Sequence, residues 1–287
     1  MMAPALRYHG GKFRMAPWIT RHFPEHRCYV EPFGGAASVL LHKPRAYAEV
    51  YNDLDGDIVN FFRVLRDPVL AEQLITACHL TPYAREEFEQ AYEPTDDSLE
   101  RARRLAIRAS MGFGSAGATK GGTGFRIDTR RSYGTAQHVW SRYPDHLAQI
   151  GHRFVGVLIE NRPAVSIIQQ HDSLDSLIYA DPPYVLSTRD WRASCENSGY
   201  YRHEMTDADH AELLDTLIAA RGMVIVSGYA NDLYAEKLGT WEQMETPSRI
   251  SAGRGTQLRL ERIWMNPACS AALRQPRAQQ TLISEVA

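Results

Sequence analysis

The chain has 287 residues, of which 44% are hydrophobic, and a formal net charge of −2 at pH 7. This length and composition allow one large domain, or a domain with an insertion, around a substantial core. No segment approaches the roughly 20 apolar residues of a membrane span, and the N-terminus lacks the apolar stretch of a signal peptide, so we expect a cytoplasmic protein. The four cysteines are widely spaced without a Cys-x-x-Cys pair, which predicts neither disulfides nor a metal site.

The first informative segment is Arg7-Tyr8-His9-Gly10-Gly11-Lys12. Two glycines between an aromatic residue and a lysine favour a tight loop, and such a loop would bring the ammonium of Lys12 beside a ligand that carries a carboxylate. The alternative is a frayed chain end with a surface lysine.

A glycine turn follows in Tyr29-Val30-Glu31-Pro32-Phe33-Gly34-Gly35, which predicts a strand, a turn and the start of a helix at 36–41. Glycines in such a turn let the backbone approach a ligand and can leave amide donors free. The apolar stretch 46–51 predicts a second strand and ends in Asn52-Asp53. An acidic residue about 20 positions after a glycine turn is well placed to accept hydrogen bonds from ribose hydroxyls. A purely structural turn remains the alternative.

The middle of the chain has a different character. Mixed periodicity predicts helices at 57–66, 68–79, 83–92 and 98–109. The glycine-rich stretch 111–124 then predicts a mobile loop rather than packed structure. Loops of this length inside a compact domain are usually functional or disordered, so we interpret 63–151 as an insertion that takes part in target recognition.

Positive charge is concentrated in the same region. Positions 101–131 contain eight basic residues and one acidic residue, a net charge of +7, which leaves −9 for the rest of the chain. A local basic surface on an acidic body is typical of proteins that bind nucleic-acid phosphates, and Lys120, Arg126 and Arg130 are the candidate contacts. A solvated basic helix face is the competing interpretation.

Strand and helix patterns alternate in the second half. Strands are predicted at 154–160, 177–180 and 223–227, and helices at 164–170 and 208–220, which argues for a mostly parallel α/β sheet covered by helices. Ligands bind such sheets beyond the carboxyl ends of the strands, where Phe33, Asp53, Asn161 and Asp181 would emerge. From 268 onward the sequence is polar and aperiodic, which predicts a loose tail.

The most specific motif is Asp181-Pro182-Pro183-Tyr184, directly after the apolar run 177–180. Two prolines fix φ at about −65° and remove two backbone donors, so the chain must turn rigidly there. The turn would hold a carboxylate, a proline carbonyl and an aromatic ring together. These groups suit a flat base with an amino group, since the two oxygens accept its protons and the ring stacks on its face. An ordinary strand-to-loop exit is the simpler alternative.

These segments, in this order, resemble the Dam-like N6-adenine DNA methyltransferases, most closely those of phages and prophages. The resemblance spans about 7–266, nearly the whole chain. It also includes Glu160-Asn161-Arg162-Pro163-Ala164, His203-Glu204-Met205-Thr206-Asp207, Ser227-Gly228-Tyr229 and Trp264-Met265-Asn266-Pro267. Glu261 occupies the usual Thr-Glu position of the family, but Leu260 replaces the threonine.

The resemblance implies the fold of an S-adenosylmethionine-dependent methyltransferase, with a catalytic part at 1–62 and 152–266, the insertion at 63–151 and a tail at 267–287. It implies S-adenosylmethionine as methyl donor and an adenine flipped out of double-stranded DNA as acceptor. The oligomeric state does not follow from it. The implied roles are donor binding by Tyr8, Lys12, Phe33, Gly34, Gly35 and Asp53, catalysis by Asp181, Pro182 and Tyr184, and substrate binding by Pro183 and Asn161.

Two other functions remain open from the sequence. One is transfer to a different amine, such as cytosine N4, RNA or a protein side chain. The other is a noncatalytic DNA-binding protein with the same fold. No cysteine follows a proline, which disfavours covalent activation of a ring carbon and favours direct attack by an amino nitrogen.

Overall fold

The computed structural model describes residues 4–119, 122–127, 135–185, 188, 201–252 and 255–275. Within these residues, one sheet has the strand order β3-β2-β1-β4-β5-β7-β6. The strands are β1 Cys28–Glu31, β2 Ala48–Asn52, β3 Leu158–Glu160, β4 Ser176–Ala180, β5 Met223–Gly228, β6 Glu242–Ala252 and β7 Gly255–Met265.

The first five strands are parallel to one another, whereas β7 runs antiparallel to both β5 and β6. The prediction of a mostly parallel α/β sheet is therefore confirmed. From β1 the chain proceeds to β2 and β3 on one side and returns to β4 on the other. This reversal is the kind of switch point at which α/β sheets bind ligands.

Helices cover both faces of the sheet. Within the described ranges, none has the length and apolar character needed to span a membrane. The helices are α1 Ala16–Thr20, α2 Ser38–His42, α3 Gly56–Arg66, α4 Pro68–Leu80, α5 Arg85–Gln90, α6 Ser98–Met111, α7 Ala136–Ser141, α8 Pro144–Phe154, α9 Ala164–His171, α10 Asp207–Ala219, α11 Asp232–Leu238 and α12 Pro267–Arg274.

Alternate residues of the central strands enter two separate cores. In β4, Tyr179 packs in the larger core with residues of α3, α6 and α8, whereas Ile178 packs in the smaller core with residues of α9 and α10. All five residues of β4 are buried. Burial on both faces explains why this strand reads as a continuous apolar run in the sequence.

The helices of the predicted insertion pack closely against the catalytic part. Both predicted boundaries fall inside helices, the first within α3 and the second within α8. Both helices contribute buried residues to the larger core. Gly112 and Phe125 form an antiparallel bridge that closes the glycine-rich stretch. The division of the chain into two parts stays a prediction.

Two sequence predictions of secondary structure are wrong. Phe154 ends α8, and only Leu158–Glu160 forms a strand, because the Phe154 ring stacks on Phe62 at 4.3 Å as part of the helix's buried face. The tail predicted from 267 begins with α12, in which the Asn266 side chain accepts a hydrogen bond from the Cys269 amide and Cys269 is fully buried. The rest of that tail lies outside the described residues.

Candidate active site

A cavity of about 640 Å³ lies beyond the carboxyl ends of β1, β2 and β4. Its volume is within the ~300–1,000 Å³ range of small-molecule sites. Residues 201–205 and the start of the chain complete its wall. Many of the predicted site residues line it: Tyr8, Lys12, Phe33, Gly34, Gly35, Asp53, Asp181, Pro182, Pro183 and Tyr184.

Two further predicted residues in the described part of the chain, Asn161 and Arg126, do not line the cavity. Asn161 is exposed and does not line the cavity; its side-chain amide donates to the Asp53 carbonyl at 2.7 Å. Arg126 is buried in the insertion, with 8% of its surface exposed. Lys120 and Arg130 lie outside the described residues.

The two glycines of the turn are required by close packing. A Cβ on Gly34 would overlap the ring of Tyr51, and one on Gly35, whose φ is +46°, would press against Tyr8. Their amides are not free, contrary to the sequence-based expectation. The Gly34 amide donates to the Asn52 carbonyl and the Gly35 amide to Asp53, both at 2.7 Å.

The Asp53 carboxylate holds the glycine turn against the start of α3. Its Oδ2 accepts from the Gly35 amide at 2.7 Å and its Oδ1 from the Asp55 amide at 2.8 Å. Burial raises the pKa of Asp53 to about 6, although both amide hydrogen bonds favour the charged form. Each carboxylate oxygen has two lone pairs, so Asp53 can still accept hydrogen bonds from a ligand in the cavity.

The Asp181 carboxylate is held through one of its two oxygens. Oδ1 lies 2.7 Å from the Lys12 ammonium and accepts a hydrogen bond of 2.7 Å from the Ser227 hydroxyl. Oδ2 has no bond from a described residue. Since Asp181 lines the cavity and its side chain is 16% exposed, Oδ2 can accept from a ligand there.

Lys12 is central to a buried polar network that the sequence did not predict. Its ammonium donates to the Tyr184 hydroxyl at 2.8 Å and lies 3.5 Å from Glu261, in addition to Asp181. Burial alone would lower the pKa of Lys12, but the two carboxylates outweigh it and hold that pKa well above its ordinary value. Lys12 therefore remains a cation between two acids.

Glu261 and Tyr229 are candidate site residues whose contacts the sequence did not predict. The Tyr184 hydroxyl donates to Glu261 at 2.8 Å, and the rings of Tyr184 and Tyr229 are 4.3 Å apart. Burial raises the pKa of Glu261 despite the opposing effect of Lys12. The motif Ser227-Gly228-Tyr229 and the position of Glu261 were visible in the sequence, but no local pattern indicated these contacts.

The basic region is largely neutralised within the described residues. Its four helical arginines form ion pairs with acids that lie outside the counted segment. This explains why the regional net charge overstates the free positive surface. The pairs are Arg101 with Asp57, Arg103 with Glu87 and Glu100, Arg104 with Glu100, and Arg108 with Asp57.

Apolar side chains instead mark the exposed part of the insertion. Phe113 is 73% exposed and Ile127 is 65% exposed. Both flank the bridge between Gly112 and Phe125. The insertion therefore presents apolar side chains next to a segment rich in glycine.

The family model and the relatives that match this chain all describe adenine-specific DNA methyltransferases. Residues 8–238 match the family model of the D12 class N6 adenine-specific DNA methyltransferases. The chain is 24% identical to a DNA adenine methylase of Vibrio cholerae, over 87% of this chain and 91% of that protein. It is 22% identical to a DNA adenine methylase of Salmonella typhi, over 90% of this chain and 92% of that protein.

Two shorter or weaker similarities accompany these matches. A DNA N-6-adenine-methyltransferase of Escherichia phage P1 is 35% identical over 25% of this chain and 9% of that protein. A solved precorrin 8W decarboxylase from Methanobacterium thermoautotrophicum aligns over 88% of both chains, with 9% identity and a TM-score of 0.33.

Proposed function

Because this chain belongs to the D12 class of N6 adenine-specific DNA methyltransferases, we propose that it transfers the methyl group of S-adenosylmethionine to the N6 amino group of an adenine flipped out of double-stranded DNA. The observation that carries the proposal is the shared cavity. The turn Asp181-Pro182-Pro183-Tyr184 lines the same cavity of about 640 Å³ as Asp53 and the glycine turn Gly34-Gly35. A donor and an acceptor base can therefore meet there.

The residues of the cavity fit the methyl donor. S-adenosylmethionine supplies a methyl group made electrophilic by its positively charged sulfur. Asp53 offers partly buried carboxylate oxygens for the ribose hydroxyls. Phe33 and the glycine turn give an apolar wall that the donor can approach closely, and Tyr8 packs on that turn. Lys12 lies on the same wall, so it remains a candidate contact for the donor's carboxylate.

The turn that begins at Asp181 fits an aromatic amine. Oδ2 of Asp181 and the carbonyl of Pro182 would accept the two amine protons and hold the nitrogen with its lone pair facing the donor. The negative carboxylate then stabilises positive charge that develops on the nitrogen. Alignment and charge placement suffice for this role, and Asp181 need not act as a strong base.

Tyr184 and Pro183 complete the proposed base pocket. Lys12 and Glu261 hold the Tyr184 hydroxyl, so the ring is a fixed wall of the cavity. Stacking on a fixed ring offsets part of the free energy needed to unstack a base from the duplex. Asn161 supports the pocket indirectly, since it holds the Asp53 backbone.

We further propose that the insertion contacts the duplex. Phe113 and Ile127 are exposed beside the glycine-rich stretch, and some DNA-binding proteins insert apolar side chains of this kind between base steps. Lys120, Arg126 and Arg130 remain the candidate phosphate contacts. Arg126 is buried, so its contact requires the insertion to rearrange on DNA.

The proposal is tested with the purified chain, S-adenosylmethionine labelled in its methyl group, and double-stranded DNA. Nucleosides from the digested product are identified by mass spectrometry, and N6-methyladenine is expected. N4-methylcytosine as the product, or label only in added RNA or protein, would establish one of the alternative acceptors instead.

Asp181→Ala supplies the matched control. We expect it to abolish transfer and to leave donor affinity, measured by calorimetry, within about threefold of wild type. Turnover by Asp181→Ala would contradict the assigned role of this residue. A wild-type chain that binds DNA but neither binds nor uses the donor would support a noncatalytic DNA-binding protein.

A further inference from the structure

Ser227 lies at a position where the sheet register forces it towards Asp181. In β4 and β5, which are parallel neighbours, Ala180 pairs with Val226. Asp181 directly follows β4 and Ser227 is the next residue of β5, so the two residues are neighbours across the strands. The Ser227 hydroxyl donates to Asp181 Oδ1 at 2.7 Å, and Ser227 is fully buried.

The bond from Ser227 to Asp181 fixes the direction of a second hydrogen bond, between Tyr179 and Ser227. The Tyr179 hydroxyl lies 2.9 Å from the Ser227 oxygen, and both residues are fully buried. A serine hydroxyl has a single proton to donate. Since that proton points to Asp181, the Ser227 oxygen accepts from Tyr179. The chain of donors therefore runs from Tyr179 through Ser227 to Asp181.

The Asp181 carboxylate is thereby clamped from two sides on the same oxygen. Lys12 and Ser227 both bond Oδ1, each at 2.7 Å. A carboxylate with only one such partner can rotate about its terminal bond, because that torsion is broad. With two partners on Oδ1, Oδ2 keeps a fixed direction on the side of the cavity.

We propose that Ser227 is a positioning residue for methyl transfer, which acts with Lys12 to hold Oδ2 of Asp181 as the acceptor for the amino group. This inference rests on the proposed function. Lys12 alone cannot replace Ser227, since the same ammonium also lies 3.5 Å from Glu261 and can shift towards it. Ser227 removes that freedom.

The expected signature is a loss in the chemical step with little change in binding. Misplacement of a reacting group by about 1 Å can cost about 100-fold in rate. We therefore expect Ser227→Ala to lower the single-turnover rate about 10- to 100-fold. Ser227 does not line the cavity, so the Kd values for donor and DNA should stay within about threefold of wild type.

A nearly isosteric pair of variants isolates the hydroxyl. Ser227→Thr and Ser227→Val add similar bulk in the same buried position, but only threonine retains a donor. We expect the threonine variant to keep most of the rate and the valine variant to lose it. Ser176→Ala is the control for removal of a buried hydroxyl, since Ser176 begins β4 at the opposite end and bonds the Ser173 carbonyl.

The assay uses the DNA recognition sequence that the wild-type enzyme methylates, which is found by sequencing its product. Donor affinity is measured by calorimetry, and base flipping by the fluorescence of 2-aminopurine at the target position. The proposal is supported if Ser227→Ala and Ser227→Val are slow with normal donor binding and normal fluorescence. If Ser227 had a purely structural role, its substitution would lower the rate, the donor affinity and the melting temperature together.

The outcomes separate this inference from the proposed function. A wild-type chain that methylates no DNA rejects the proposed function itself. An active wild-type enzyme with Ser227→Ala within twofold of its rate rejects only the positioning role. Equal rates for Ser227→Thr and Ser227→Val also reject it, and this comparison holds even if the alanine variant does not fold.

Discussion

Arg202 and Asp57 lie 145 positions apart in the chain and form an ion pair of 3.0 Å beside the cavity. The same guanidinium nitrogen donates to Asp55 at 3.0 Å. Asp57 also forms ion pairs with Arg101 and Arg108 in α6 of the predicted insertion. One carboxylate therefore connects a cavity wall to the part of the chain that we propose contacts DNA.

We expect Arg202→Gln to loosen the 201–205 wall and to weaken donor binding. The side chain of Arg202 is 44% exposed, so solvent screens its ion pairs and we expect a loss of about two- to fivefold in donor affinity. Calorimetry measures the effect. Arg262→Gln is the control, because Arg262 pairs with Glu245 away from the cavity. Equal effects of the two substitutions would contradict a specific role of Arg202.

Gly10 gives a second test of the same wall. It has a φ of +72°, and a Cβ there would overlap the Tyr201 hydroxyl. Gly114 has a similar φ of +77° but no atom near its Cβ position. We expect Gly10→Ala and Gly114→Ala each to cost about 1–2 kcal/mol of stability through backbone strain. Only Gly10→Ala should reduce donor affinity, because only it displaces Tyr201.

We expect the pKa of Asp53 to make donor binding depend on pH. Burial raises that pKa from 3.8 to about 6. Below this pH the carboxyl gains a proton and becomes a weaker acceptor for the ribose hydroxyls. We therefore expect donor affinity to fall as the pH drops through about 6, as measured by calorimetry between pH 5 and 8. Asp53→Asn should bind more weakly and lose this dependence. A pH dependence that persists in Asp53→Asn must come from another group.

Much of the fold was predictable because its central strands are buried on both faces. Continuous apolar runs marked β4 and β5, and the prolines and the glycines after β4 and β1 marked the turns. The β6–β7 hairpin was missed, since its strands mix charged and apolar residues at an edge of the sheet, as in Arg259 to Arg262. The start of the tail was misjudged because Asn266 caps a helix too short to show periodicity.

The candidate site was predictable only for residues whose position follows from the short motif that contains them. Asp53 and Asp181 each follow a strand, so their placement at the same edge followed from the parallel sheet. The contacts of Lys12 with Asp181 and Glu261 join three distant parts of the chain, and no local pattern encodes them. The neutralisation of the basic region is equally nonlocal, because Asp57 supplies two of its ion pairs.

Glu31 is expected to stabilise the start of α2. Its Oε2 accepts from the Leu40 amide at 3.1 Å and from the Tyr29 hydroxyl at 2.8 Å, whereas Ala37 at the helix start offers no side-chain cap. Glu31→Ala leaves a buried donor unpaired and should lower the free energy of unfolding by about 1–3 kcal/mol. Glu31→Gln keeps an acceptor and should cost less. Urea denaturation measures both.

The pH dependence of stability separates charge from hydrogen bonding at Glu31. Burial raises its pKa from 4.5 to about 8, so between these values the folded chain holds a proton that the unfolded chain has released. The contribution of this group to the free energy of unfolding therefore falls as pH rises from 4.5 to about 8. Denaturation at several pH values should show a smaller decline for Glu31→Gln. An identical pH profile for the two proteins would contradict a protonated Glu31.

Removal of the Lys12 charge should lower the free energy of unfolding, and a second substitution should restore part of that loss. Lys12→Met leaves Asp181 and Glu261 near each other without their shared cation, and breaking such a buried pair costs about 3–5 kcal/mol. Lys12→Met combined with Glu261→Gln removes one of the two carboxylates. We therefore expect the double variant to lose less free energy of unfolding than the sum of the two single losses, by about 1 kcal/mol or more. Strictly additive losses would show that Lys12 and Glu261 do not interact. Methyl transfer should remain low in both variants that lack Lys12, because Asp181 then keeps only Ser227 to hold its Oδ1.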